Sequence, residues 1–140
     1  MHRCAVNALS VGVLLTATLS ATLYATSAVA QIQLQAQRNF PATALRGELR
    51  ITQPPEALMN GQPARLAPGA RIRDTQNMMA MSGALMGLPL LVHYTLDTQG
   101  LVQDVWVLNE GERLRKPWPS TPAQARQWIF NPAAQTWSRP

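Results

Sequence analysis

The sequence predicts a mainly β protein: a small antiparallel sheet or barrel-like domain, a short Met-rich helical segment and a short C-terminal helix. Three observations carry this expectation. Runs that alternate apolar with charged or polar residues recur between residues 44 and 108, and period two marks a half-buried strand. Turn-forming stretches separate them: Pro54-Pro55, Asn60-Gly61, Pro68-Gly69 and Asp97-Thr98-Gln99-Gly100. Helical spacing is confined to two short places, around Met78–Met86 and after Thr121.

The first thirty residues differ in kind from the rest. Met1-His2-Arg3 is a short basic start, Ala5 to Tyr24 carries no charge, and Ala28-Val29-Ala30 offers small side chains where a signal peptidase needs them. Residues 1–30 therefore read as a cleavable Sec-type signal peptide, cut between Ala30 and Gln31, that delivers the chain to the periplasm or beyond. The rival, an uncleaved anchor, is disfavoured because Ser and Thr dilute the apolar stretch. Cys4 is the sole cysteine. It precedes the apolar stretch, cannot be a lipid-bearing cysteine, and leaves with the signal. A cysteine-free mature chain excludes disulfides, thiolate nucleophiles, zinc–cysteine sites and iron–sulfur clusters. Its stability must come from one apolar core, which the remaining 110 of 140 residues suffice to build.

Within the mature chain, residues 31–41 ("QIQLQAQRNFP") form a polar lead-in expected to be flexible. "ALRGELRIT" (44–52) places Leu45, Gly47, Leu49 and Ile51 on one face and Arg46, Glu48 and Arg50 on the other, until Pro54-Pro55 stops the strand. Asn60-Gly61 predicts a two-residue hairpin, since both residues tolerate positive φ. Pro68-Gly69 predicts a second turn, dividing short strands at Ala64–Leu66 and Ala70–Arg73, with Ile72 inward. Met78, Met81 and Met86 fall at helical spacing with Ala84 and Leu85, so this segment is expected to pack on the sheet. "PLLVHYTLDTQGLVQDVWVL" (89–108) is the strongest hairpin, with Asp97 and Gly100 shaping its turn. Hydrophobic sorting favours a register in which paired positions sum to about 197, setting His93 opposite Asp104. A glycine bulge would raise the sum to about 198. Residues 42–112 are thus the β domain. Residues 113–140 are a basic, Pro/Trp-rich tail with a helix at 122–130, capped by Thr121 with Pro122 and Gln124, and a loose end.

Across Ala42–Glu112, "FPATALRGELRI", "LMNGQPARLAPGARIR", "SGALMG" and "VHYTLDTQGLVQDVWVL" make the chain resemble small exported proteins of Gram-negative bacteria. The resemblance implies export and no particular activity. The hairpin residues Asp97, Gly100, Val102, Val105 and Val107 are also similar to a hairpin in the C-terminal domains of TonB-type transducers, a spacing that hairpin physics alone produces.

Several groups could carry chemistry. The basic and aromatic tail is the favoured contact surface: Arg113, Arg115 and Lys116 would meet anions, while Trp118 and Trp137 would stack on sugar rings or apolar grooves. Without Arg3, eleven Lys+Arg face seven Asp+Glu, a net +4. For an exported chain this points to an envelope protein or an anionic envelope polymer as partner, rather than nucleic acid. The alternative is a Cu(I) site, because thioethers are soft, uncharged ligands: Met79 and Met81 at M-x-M spacing, with His93 supplying a nitrogen. Otherwise no cofactor is expected. A third reading, a small hydrolase, would need His93 and Asp104 beside a nucleophile such as Ser82, which sits in "AMSGA" rather than a nucleophile elbow. The sequence favours a non-catalytic binding or accessory role in the envelope.

Overall fold

The computed structural model describes residues 37–140. The expected signal peptide, its cleavage positions Ala28, Ala30 and Gln31, and residues 31–36 of the lead-in lie outside the described residues. Strand β1 (Leu45–Gln53) buries Leu45, Gly47, Leu49 and Ile51 as the alternation requires. Its neighbour β2 (Glu56–Met59) turns at Asn60 (φ 52°) and Gly61 (φ 78°) into β3 (Gln62–Arg73), with Met59 opposite Gln62. Two consecutive left-handed residues twist the hairpin in the sense that strands favour. The Asn60 side chain also accepts the Glu48 N–H at 2.9 Å, tying this turn to β1. Gly47 lies beneath it. A Cβ there would come within 2.9 Å of the Met59 sulfur, so the absence of a side chain lets the strands approach.

The second expected turn does not form. Pro68 and Gly69 lie inside β3, where Gly69 (φ 77°) permits a bend instead of a chain reversal. Before the bend β3 pairs with β2. From Leu66 onward it runs parallel to β6 (Val102–Val107), with a register irregularity between Leu66 and Arg71. β5 (Leu90–Leu96) pairs with both β6 and β1. The strands therefore close in the order β1-β2-β3-β6-β5-β1, and the two-residue β4 (Met79–Ala80) hangs on the outer side of β3. Five strands in this order, with one parallel contact between β3 and β6, close into a small β-barrel. The core inside comprises Leu49, Ile51, Leu66, Ile72, Val92, Tyr94, Val102, Val105 and Val107, among others.

The β5–β6 hairpin follows the bulged register near its turn and departs from both expectations further away. Leu96 opposes Val102, a sum of 198, whereas His93 opposes Trp106 and Val92 opposes Val107, a sum of 199. The Asp97 carboxylate accepts the N–H groups of Gln99 and Leu101, and Gly100 (φ 79°) makes the first bulge. A second irregularity between Tyr94 and Leu96 makes the further shift. It moves Val102 inward in place of Leu101 and places His93 beside Trp106, not Asp104.

Residues 37–41 of the lead-in and the tail pack as parts of this domain. Phe40 and Arg38 are buried, contrary to the flexibility expected of these last lead-in residues. Helix α1 (Glu110–Leu114) starts with a capping box between Asn109 and Glu112. α2 (Pro122–Gln127) is capped by Thr121 as expected but ends three residues early. Ile129 and Phe130 are recruited into a hairpin of β7 (Ile129–Asn131) and β8 (Thr136–Ser138), so the end is not loose. Asn131 accepts the N–H groups of Ala133 and Ala134, and buried Gln135 accepts the Phe40 N–H at 2.7 Å. Phe40, Trp118 and Trp137 thereby form a second core, with Trp106, Trp128 and Phe130 packed against it. No helix among the described residues is long and apolar enough to cross a membrane.

Candidate functional site

The methionine segment becomes an exposed rim rather than core filling. Met78, Met79, Met81 and Met86 are 63%, 63%, 81% and 49% exposed. The helical spacing misleads because the segment adopts a two-residue strand and then a 3-10 turn at Ser82–Leu85. A 3-10 turn repeats every three residues, so only positions three apart share a face and the position four apart is turned away. The smaller Ala80 and Leu85 pack inward instead. A turn at Asp74 sets the segment in place: its carboxylate accepts the N–H groups of Gln76 and Met78 at 2.8 and 2.9 Å, and Asn77 takes φ 66°.

Between this rim and the barrel lies a groove of about 770 Å³. Its walls are Pro54 and Pro55, then Leu66, Ala67, Gly69, Ala70 and Ile72 of the bent β3, and finally Ala80 to Ala84. None of these residues is charged, and Ser82 contributes the only polar side chain. Core residues Leu66 and Ile72 reach its floor because β3 bends away from β2 there. β4 is the last strand of the sheet, and its outer edge has no strand partner among the described residues.

His93, proposed for both copper and hydrolysis, is wholly buried in the second core. Its ring stacks on Trp118 at 3.9 Å and meets Phe40 edge-on at 4.4 Å. Arg46 Nε and one terminal nitrogen donate to His93 Nε2 at 3.2 and 3.0 Å, which leaves the proton of a neutral imidazole on Nδ1, a buried atom without a hydrogen-bond partner. Burial, and then the charges of Arg46, Arg38 and Arg115, push its pKa down to about 2. Met79, Arg73, Trp106 and His93 occupy successive strands, so His93 stands three strand spacings from Met79, roughly 14 Å. The copper trio is not brought together. Nor is a triad: Asp104 is engaged by Arg71 at 2.7 Å and by Thr95, while Ser82 belongs to the groove. Among the described residues, no group of three His, Cys, Asp or Glu is placed to hold a metal ion.

The tail set is divided. Trp118 and Trp137 are 7% and 4% exposed, so neither presents a face for stacking. Trp118 donates its indole N–H to the Ala44 carbonyl at 2.9 Å. Arg113 and Lys116 are exposed; Arg115 is half-buried, and its carbonyl accepts from Arg46 at 2.7 Å. Lys116 and Trp137 do meet, with Pro117, Ser138 and Arg139, around a shallow depression of about 450 Å³. Arg46, expected to face water, instead reaches the carbonyls of Glu112 and Arg115 and binds the tail to the barrel. Arg38 donates from Nε to Glu112 at 2.8 Å and from a terminal nitrogen to its other carboxylate oxygen, closing a buried ion pair.

The sequence reading missed the groove, although a signal for its hairpin was present. Asp74-Thr75-Gln76-Asn77 repeats Asp97-Thr98-Gln99-Gly100, and both adopt the same turn, with Asp accepting two N–H groups and a left-handed residue fourth. No family model, no curated protein and no solved structure matches the chain.

Proposed function

We propose that this chain is an exported, non-catalytic binding module of the Gram-negative cell envelope, and that its methionine-rimmed groove holds an uncharged apolar stretch of a partner polypeptide. The uncharged lining carries the reading. An anionic polymer would find no countercharge there, whereas apolar side chains would gain from leaving water. Two features favour a polypeptide over a lipid chain. The free edge of β4 offers main-chain groups that only another main chain can pair continuously. Met81 in the groove wall supplies flexible, polarizable contacts that adapt to side chains of different shape. The signal-like N-terminus and the likeness to exported bacterial proteins support the location.

Titrating protein labelled at its methionine methyls with an uncharged Leu/Val/Ala-rich peptide tests this proposal. The Met81 signal should shift first and the core Met59 signal should stay in place. Ala84→Lys, which sets a charge on the groove wall, should weaken binding about tenfold or more, since a buried unpaired charge is costly. Equal affinity in the variant, or shifts confined to the tail, would refute it.

A further inference from the structure

Met81 lines this groove, and the other exposed methionines of the described domain, Met78, Met79 and Met86, flank it in the same short segment of chain. We propose that this exposed segment is oxidation-controlled: peroxide converts Met78, Met79, Met81 and Met86 to sulfoxides while the barrel stays folded, and the groove, with Met81 of its wall converted, no longer admits an apolar segment. The consequence for binding rests on the groove reading above; the selectivity of the chemistry does not.

Selectivity follows from burial. As residues the four methionines are 49–81% exposed, whereas Met59, the remaining methionine of the described domain, is 9% exposed and belongs to the core. Cys4, the only cysteine, lies outside the described residues, so no thiol of the domain competes. In the reaction with peroxide, a sulfur lone pair attacks one peroxide oxygen, the S–O bond forms as the O–O bond breaks, and the leaving hydroxide takes up the proton to become water. Sulfur loses two electrons and the oxidant gains them.

The fold survives because main-chain bonds hold the segment, not its methionines. β4 is laddered to β3, the Met81 carbonyl accepts from Ala84 at 3.0 Å, and Gly87 donates to the Ile51 carbonyl at 2.8 Å. None of the four methionines belongs to either core. Binding suffers because a sulfoxide oxygen is a strong acceptor, and Ser82 is the only side-chain donor lining the groove. Covering such an oxygen with apolar surface leaves it unpaired, which lowers affinity roughly tenfold for each one buried. Methionine sulfoxide reductases would restore the rim.

Stepwise hydrogen peroxide treatment of the purified protein, with peptide mass mapping, near-UV circular dichroism and titration with the same apolar peptide, tests the inference. The expected result is oxygen added to the four rim methionines before Met59, an unchanged near-UV spectrum, and at least tenfold weaker binding. The quadruple Met→Leu variant should bind before and after treatment alike. Oxidation of Met59 in step with the rim, loss of tertiary signal with the first sulfoxides, or undiminished binding by the oxidised protein would each overturn it. An untreated protein that binds no apolar peptide overturns the groove reading, and with it the switch, while the mass map still decides the selectivity.

Discussion

Buried His93 should make this domain acid-sensitive in a defined window. In the unfolded chain its imidazole titrates near 6.5; in the fold, burial and three arginines push the value to about 2. Above pH 6.5 neither state is protonated and the native state keeps its full stability. Below that, the unfolded chain takes up a proton that the native state refuses, so stability falls as pH falls, down to a pH of about 2. The limiting slope is about 1.4 kcal/mol per pH unit, and at pH 4.5 the deficit reaches about 3 kcal/mol. That is a large share of the ~5–15 kcal/mol typical of a domain. His93→Gln isolates the effect, because a glutamine oxygen can still accept from Arg46 but cannot titrate. Urea unfolding followed by tryptophan fluorescence between about pH 7 and 4.5 measures both proteins, and other acid-sensitive groups cancel in the comparison. Wild type should lose stability faster than the variant by about 1.4 kcal/mol per unit once below pH 6. Parallel curves would refute the buried, neutral histidine.

Further substitutions probe how Arg38 and Trp118 hold the lead-in and the tail to the barrel. Arg38→Ala strands the Glu112 carboxylate in a buried place and should cost about 3–5 kcal/mol, most of it recovered in Arg38→Met with Glu112→Gln; a melting temperature close to wild type for Arg38→Ala would remove the clamp. Trp118→Ala should cost about 3–5 kcal/mol in chemical denaturation, whereas Lys116→Ala on the exposed rim should stay within about 0.5 kcal/mol. Equal stabilities for the two variants would return Trp118 to the surface.

The sequence by itself determined the local geometry. Alternation assigned Leu45, Leu49 and Ile51 to one side of a strand, and Asn60-Gly61 fixed a hairpin, because side-chain period and backbone sterics act over a few residues. Asp97 and Gly100 placed another turn for the same reason. Tertiary structure decided what each face meets. The outer side of β1, read as solvated, is covered by Trp118, a residue 72 positions beyond Arg46 in the chain. Pro68-Gly69 became a bend rather than a turn because β3 had two partners to satisfy, β2 before it and parallel β6 after it. His93 moved from a polar cross-strand pair into an aromatic core through two small register shifts that together leave the hydrophobic sorting intact, since Val105 and Val107 stay inward and Val102 replaces Leu101 without changing polarity. The methionines show the same division. Their apolar character is written in the chain, yet whether a thioether lies in a core or on a rim depends on how much sheet is left for it to cover. Here the tail had already covered the outer face of β1, β5 and β6, and Ala80 and Leu85 took the contacts that remained.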